Sequence, residues 1–179
     1  MKVVVINGRG GAGKDTFVNM CKRYTVCEAY SSVEFVKQAA HCLGWGGGKS
    51  LSDRKFLSEL KDLSTWYNDG PFEYLRHINE IKVTEGAHLG SFNQNPKVDI
   101  LFFFVREPSE IGRCVKEFKA KTLLLRRPSD NNNKYGNHAD DDVEKFNYDY
   151  IIENDGGFEE LSAKAKHFVD EILTENELV

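Results

Sequence analysis

The sequence predicts an α/β fold in which a parallel sheet of five strands lies between two layers of helices. Short apolar runs alternate with amphipathic stretches along most of the 179 residues. Strands that alternate with helices pair in parallel, because each helix carries the chain back across the sheet. The run 100–105 is apolar at every position, which is typical of a strand buried on both faces.

Apolar spacing and helix-opening residues place the elements along the chain. The strands are predicted at 2–7, 26–31, 100–105, 122–125 and 148–152. Helices are predicted at 14–23 and 32–43, from Ser52 or Asp53, from Pro71 to about residue 82, from Pro108, and from about Phe158. Residues 83–97 show no periodicity and are expected to form a loop.

Each helix is expected to turn one apolar face inward, against the sheet or another helix. The inward side chains are predicted to be Val33, Val36, Ala40 and Leu43 in the second helix, Phe56, Leu60, Leu63 and Tyr67 in the third, and Phe158, Leu161, Ala165, Phe168 and Ile172 in the last. No internal repeat interrupts this pattern.

The composition is that of one globular domain over residues 1–179, with 40% hydrophobic and 29% charged residues. A net charge of −4 argues against a nucleic-acid-binding surface. The four cysteines lie far apart without a C-x-x-C pair, which indicates neither a zinc site nor a disulfide and favours a reduced, cytoplasmic setting. No apolar run approaches the roughly 18 residues needed to span a bilayer, so no signal or membrane segment is expected.

A glycine-rich segment directly follows the first predicted strand. Gly8, Gly13 and Lys14 have the spacing of a phosphate-binding loop, and helix-forming residues follow them. Glycines let successive backbone N–H groups curl around a phosphate, while the helix points its positive end at the same place. The sequence therefore predicts a nucleotide site. The similar segment 46–50 lacks a leading strand and is interpreted as a flexible connection.

Polar residues follow the other predicted strands, whose carboxyl ends meet at one edge of a parallel sheet. These residues are Ser31 and Ser32 after the second strand, Arg106 and Glu107 after the third, Arg126 and Arg127 after the fourth, and Asn154, Asp155 and Gly156 after the fifth. A single arginine after a strand is usually solvated, but three beside a phosphate loop favour an anion pocket.

The stretch Gly13-Lys14-Asp15-Thr16 has aspartate where most phosphate loops carry serine or threonine, and it resembles the deoxynucleoside monophosphate kinases of bacteriophages. More distantly, it resembles animal-type phosphomevalonate kinase. Ser32–Lys37 is similar to the phage segment S-F-A-D-x-x-K, and Val105–Glu110 is similar to V-R-F-x-N-E. His138–Asp141 stands where the phage enzymes carry H-x-S-E, and Tyr148–Gly156 looks like their final strand and turn.

The resemblance implies a three-layer P-loop NTPase fold of the nucleoside monophosphate kinase type. An acceptor-binding helical insertion is expected at about 44–97, the part of the chain where small kinases carry their acceptor-binding helices. The polar segment rich in Asn and Asp at about 128–142 predicts a lid. Phe104 stands where the phage pattern has an aspartate, so that acid is missing or is replaced by Glu107.

Phosphoryl transfer requires donor and acceptor to be held in line, here ATP with Mg²⁺ and a small phosphorylated molecule. Lys14 is expected to bridge the β- and γ-phosphates, Asp15 to meet Mg²⁺, and Thr16 to reach the α-phosphate. The residues expected to hold the nucleotide are Gly8, Gly10, Gly11, Ala12, Gly13, Lys14, Asp15, Thr16 and, beside the adenine, Asn154, Asp155 and Gly156.

Arg106 is expected to bind the phosphate of the acceptor, with Lys37 as the second candidate. Arg126 and Arg127 would bring charge to the transition state when the lid closes. The predicted catalytic set is Lys14, Arg106, Arg126 and Arg127. Further possible substrate contacts are Ser32, Arg54, Lys61 and Glu107, although a solvated helix face is the ordinary interpretation of Arg54 and Lys61.

The predicted function is transfer of the γ-phosphate of ATP, with a nucleoside or deoxynucleoside monophosphate as the leading acceptor. A small-metabolite kinase with phosphomevalonate-like acceptors is the alternative among enzymes. A nucleotide-binding regulator with little transfer activity is the alternative from a different class. No nucleic-acid or membrane partner is expected.

Overall fold

The computed structural model describes residues 1–87, 97–128 and 143–175. Five parallel strands form one sheet: β1 (Lys2–Asn7), β2 (Cys27–Ser31), β3 (Ile100–Phe104), β4 (Lys121–Arg126) and β5 (Tyr150–Glu153). Their order across the sheet is β2-β3-β1-β4-β5. The predicted α/β class with a five-stranded parallel sheet is therefore confirmed.

Helices connect the strands and cover the sheet. They are α1 (Lys14–Cys21), α2 (Glu34–Cys42), α3 (Leu51–Asn68), α4 (Gly70–Ala87), α5 (Pro108–Phe118) and α6 (Phe158–Thr174), with a short 3₁₀ turn at Val143–Lys145. Within the described ranges, none of these helices has the length and apolar character needed to cross a bilayer.

The two faces of the sheet carry separate hydrophobic cores, because successive strand residues point to opposite faces. Val4 of β1 belongs to the core shared with α1 and α6, in which the rings of Phe17 and Phe168 meet edge to face. Val5 belongs to the opposite core, shared with α4 and α5. β1 pairs with β3 on one side and β4 on the other. Its carboxyl end therefore lies in the middle of the sheet edge where a ligand is expected.

Helices α3 and α4 form a hairpin between β2 and β3, and its corner is tied to α5. The carboxylate of Asp69 accepts hydrogen bonds from both terminal nitrogens of Arg113. The central carbon of the Arg113 guanidinium lies 3.7 Å from the centre of the Phe72 ring. The hydrogen bonds from Arg113 lower the pKa of Asp69 below its ordinary value.

Several element boundaries differ from the sequence expectation; β5, for example, begins at Tyr150 rather than at Tyr148. The N-cap of α3 is Ser50 rather than Ser52 or Asp53, and Ser50 forms a capping box with Asp53. Helix α4 continues to Ala87 rather than ending near residue 82, so the first part of the predicted loop 83–97 is helical. Residues 88–96 lie outside the described residues.

Four side chains that periodicity places inward are exposed. Leu43, Leu63, Tyr67 and Phe158 are 66%, 57%, 78% and 75% exposed. Phe158 begins α6 and Leu43 follows the last residue of α2, so both lie where the packing of the helix has ended. Leu63 and Tyr67 lie on α3, which packs mainly against α2 and α4 and contains no fully buried residue.

Candidate active site

The glycine-rich segment between β1 and α1 forms a loop that excludes side chains at two points. Gly8 has a φ of 151° and Gly13 a φ of 95°, conformations that other residues rarely adopt. A Cβ atom at Gly8 would overlap the carbonyl oxygen of Leu125, and one at Gly13 would lie 2.6 Å from Nδ2 of Asn154. The loop is therefore packed closely against the ends of β4 and β5.

The start of α1 completes a cradle of backbone donors. Gly13 is the N-cap of this helix and supplies no side-chain cap. The N–H groups of the first turn, at Lys14, Asp15 and Thr16, thus meet no capping side chain from Gly13, and the positive end of the helix dipole faces the loop. This is the arrangement by which a helix N-terminus binds a phosphate.

Lys14 lies folded over the loop. Its Nζ donates hydrogen bonds to the carbonyl oxygens of Gly8 at 2.5 Å and Arg9 at 3.0 Å. The ammonium group is therefore held directly above the turn, where the phosphates of a nucleotide would compete with these two carbonyls.

The two arginines after β4 have different surroundings. Arg127 donates from Nη1 to the carbonyl oxygen of Gly11 in the loop, at 3.4 Å. Arg126 forms ion pairs with Glu144 at 2.6 Å and Glu153 at 2.8 Å, and these hydrogen bonds raise the pKa of its guanidinium above the ordinary value. Arg127 thus reaches the phosphate loop, whereas Arg126 joins β4 to β5 and to the 3₁₀ turn.

Arg106 and Glu107 lie in the segment that follows β3, the strand that neighbours β1. The side chain of Arg106 is exposed, and Glu107 is the N-cap of α5 without a side-chain cap bond. Ser32, beyond β2, is only 4% exposed and donates its backbone N–H to the carbonyl of Phe104. Lys37 is partly exposed and pairs with Glu34 one turn earlier, at 3.4 Å.

The two basic residues of α3 have unlike environments. Lys61 pairs with Glu110 of α5 at 2.8 Å, and the two side chains are only 18% and 14% exposed. Arg54 lies on the exposed part of the same helix. The charge of Lys61 is therefore matched by Glu110, and the pair joins the helical hairpin to α5.

Asn154, Asp155 and Gly156 follow β5, but only Asn154 contacts the loop. Its Nδ2 donates to the carbonyl oxygen of Ala12 at 2.9 Å. Asp155 pairs with Lys164 of α6 at 2.7 Å, which lowers the pKa of the carboxyl below its ordinary value. Gly156 lies against the carboxylate of Glu160.

Two residues that no sequence motif marks as site residues, Asn7 and Tyr148, are hydrogen-bonded to each other where the loop begins. Asn7 ends β1 and is 0% exposed, and its Nδ2 lies 2.8 Å from the hydroxyl of Tyr148. Nδ2 of Asn7 also donates to the carbonyl oxygen of Arg106, at 3.2 Å. The only sequence signal for Asn7 is a polar residue at the end of an otherwise apolar strand.

The residues present suit ATP and Mg²⁺. The glycine turn and the first turn of α1 provide donors for phosphate, and Asp15 offers an exposed carboxylate in that turn. Mg²⁺ is commonly bound by one or two carboxylates together with waters and substrate phosphates. Apart from Pro128, the predicted lid at 128–142, with His138, lies outside the described residues.

Comparisons with known proteins identify the fold. No protein-family model and no curated protein matches the sequence. The shikimate kinase of Aquifex aeolicus vf5 superposes with a TM-score of 0.51 at 12% identity, over 94% of this chain and 96% of that chain. A sugar kinase from Janibacter sp. HTCC2649 matches with a TM-score of 0.47 at 14% identity, over 98% and 99% of the two chains. The architecture is the three-layer P-loop NTPase fold.

Proposed function

We propose that this protein is an ATP- and Mg²⁺-dependent kinase that phosphorylates a small, already phosphorylated acceptor, with nucleoside and deoxynucleoside monophosphates as the first class to test. The observation that carries the proposal is the loop after β1, in which Gly8 and Gly13 have positive φ angles and Lys14 lies over the turn. Such a loop before an uncapped helix N-terminus is built to hold anionic phosphate.

On the donor side, the N–H groups of the loop and of the first turn of α1 would hold the β-phosphate. Lys14 would exchange its two carbonyl partners for β- and γ-phosphate oxygens, and Asp15 would orient Mg²⁺ on the same phosphates. Mg²⁺ bound there would neutralise part of the charge that spreads over the transferred group.

On the acceptor side, the sheet order supports Arg106 as the phosphate-binding residue. β3 and β4 flank β1, so Arg106 and Arg127 come from opposite sides of the loop. Arg127 contacts the loop itself, which favours a place near the donor phosphates. Arg106 would bind the phosphate of the acceptor across from it, and in-line transfer needs the two substrates on opposite sides of the γ-phosphate.

The deciding experiment is a screen of phosphorylated acceptors by ADP release with Mg²⁺-ATP. Turnover with nucleoside monophosphates would support the leading proposal, and turnover only with phosphorylated small metabolites would support the other kinase class. Tight ATP binding with no acceptor used would favour a regulator, and failure to bind ATP would overturn the nucleotide site. Lys14→Ala should abolish transfer, whereas Arg23→Ala, beyond the far end of α1, should not alter it.

A further inference from the structure

The amide of Asn7 is held in one orientation by three hydrogen bonds. Its Oδ1 accepts from the backbone N–H of Gly8 at 2.8 Å. Its Nδ2 donates to the carbonyl oxygen of Arg106 at 3.2 Å and to the hydroxyl of Tyr148 at 2.8 Å. Both amide hydrogens and the amide oxygen are thus used, in a residue that is 0% exposed.

No side chain of similar size can reproduce these bonds. Leucine would leave the three partners of Asn7 without their bonds, and ionised aspartate would bring an acceptor where two donors are needed. The preceding residues of β1, Val3 to Ile6, are all apolar and buried, so packing alone does not call for an amide at this point. A buried amide is costly unless it is fully bonded, which indicates that its bonds serve a purpose beyond filling the core.

Tyr148 fixes the other end of this network. Its hydroxyl donates to the carbonyl oxygen of Val143 at 2.9 Å, and so it accepts the bond from Asn7. Burial raises the pKa of Tyr148 to about 12, so the hydroxyl keeps its proton as a donor at neutral pH. The ring packs edge to face on Phe146, with the ring centres 5.2 Å apart.

We propose that Asn7 and Tyr148 are positioning residues that keep the phosphate loop, the Arg106 segment and residues 143–148 in fixed register. The amide oxygen of Asn7 accepts from the N–H of Gly8, which begins the loop, and its amide nitrogen donates to the carbonyl oxygen of Arg106. The two substrates of a kinase must be closely aligned, because a misplacement of about 1 Å can slow the reaction about 100-fold. This network connects the proposed donor side directly to the proposed acceptor side. Its kinetic consequence rests on the proposed function, but the network itself does not.

Tyr148→Phe tests the proposal, because it removes the hydroxyl and keeps the ring. We expect kcat for transfer to fall about tenfold or more, since misaligned substrates react more slowly even when both are bound. The KM values for ATP and acceptor should change less than threefold. The matched control is Tyr150→Phe, which removes a hydroxyl bonded to Glu175, away from the three segments, and should leave kcat unchanged.

A second measurement does not depend on activity. Amide hydrogen exchange at Gly8 in the ligand-free protein should become faster in Tyr148→Phe and in Asn7→Ala, and it should stay unchanged in Tyr150→Phe. Unchanged exchange at Gly8, or unchanged kcat in an enzyme whose wild type is active, would overturn the positioning role. If the wild type transfers phosphate to no acceptor, the proposed function fails, and exchange at Gly8 alone decides the role of the network.

Discussion

At the scale of single residues, the glycine-rich loop after β1 requires positions that carry no side chain. Gly13 combines a φ of 95° with the close approach of the Asn154 amide, which itself bonds to Ala12. The side chain of Asn154, which follows β5, thus packs against the loop in the space that a Cβ atom of residue 13 would need. Asn154, predicted to lie beside the adenine, here supports the backbone that would hold the phosphates.

Gly13→Ala is expected to lower the free energy of unfolding by about 1–2 kcal/mol for the left-handed backbone alone, and to weaken ATP binding. Gly112→Ala is the matched control, because a Cβ there meets open space in the middle of α5 and alanine favours helix. Urea unfolding and calorimetric ATP titration of both variants measure the two effects. Equal stability and ATP affinity in Gly13→Ala and wild type would contradict the tight packing of the loop.

Arg106→Ala is expected to weaken acceptor binding while ATP binding stays nearly unchanged. The lost charge-assisted bonds correspond to about 1.5–3 kcal/mol, or more than tenfold in acceptor affinity. Steady-state kinetics with each substrate varied in turn separate the two effects, with Arg23→Ala as the control. A loss of ATP affinity instead would place Arg106 on the donor side and reverse the two pockets.

At the scale of elements, the helical hairpin is held to the rest of the molecule by a few specific pairs. Lys61 and Glu110 join α3 to α5 with little exposure, whereas Lys55 and Glu59 on the same helix are 3.7 Å apart and 76% and 66% exposed. Removing one partner of an enclosed ion pair lowers the free energy of unfolding strongly, because the other charge stays buried without a partner. Exposed pairs contribute little, since water and salt screen them.

Glu110→Ala is therefore expected to lower the free energy of unfolding by about 1–3 kcal/mol. Glu59→Ala should change it by about 0.5 kcal/mol or less. The double variant Lys61→Met/Glu110→Leu should recover much of the loss, because it removes the charge that Glu110→Ala leaves behind. Equal effects of Glu110→Ala and Glu59→Ala in urea unfolding would show that the pair between α3 and α5 does not stabilise the fold.

The order of elements follows from local sequence, whereas the burial of their faces depends on distant partners. Strand β3 is predictable because its five residues are apolar. The exposure of Tyr67 is not predictable from the sequence, because its spacing with Leu60 is that of an inward-facing pair. Only the placement of α3 against α2 and α4 shows which face of α3 is covered. Local sequence does not predict Ser50 as the cap of α3, because the glycines before it indicate a flexible connection.

The same division applies to the candidate site. The glycine-rich loop between β1 and α1 is predictable from adjacent residues, since the glycine spacing and the flanking strand and helix are local. Tyr148 lies 141 positions from its partner Asn7, so no local pattern joins them. Likewise, the sequence treats Arg126 and Arg127 alike, and only the arrangement of β4 and β5 separates the arginine held by carboxylates from the one at the loop.

At the scale of the whole molecule, buried thiols make stability depend on pH on the alkaline side. Burial raises the pKa of Cys27 to about 11 and of Cys114 to about 12, and it raises the pKa of Cys21 further. In the unfolded chain, thiols ionise near pH 8.5, at about the ordinary value. The native state therefore binds more protons above that pH, and the free energy of unfolding falls as pH rises until the native thiols ionise in turn.

Once the pH exceeds the pKa of a thiol in the unfolded chain, each buried thiol is expected to lower the free energy of unfolding by about 1.4 kcal/mol per pH unit. Cys21, Cys27 and Cys114 together give about 4 kcal/mol per pH unit. Urea unfolding from pH 7.5 to 9.5 with reductant present measures this slope. Cys114→Ala should reduce the slope by about a third, whatever its effect on stability at neutral pH. Cys42→Ala, at an exposed position, should leave it unchanged, and an equal slope in all variants would contradict the prediction.

The central position of β1 also has a consequence for how the chain is made. Lys2 pairs with Ile100, and Asn7 pairs with Leu124, so the first strand must wait for partners that emerge much later in synthesis. Until then, its apolar residues are exposed on the nascent chain, where they invite misassociation. The loop after β1 packs against Leu125 of β4, so it acquires its final surroundings only when β4 arrives beside it. The proposed nucleotide-binding loop is thus translated before β3 and β4 and completed only after them.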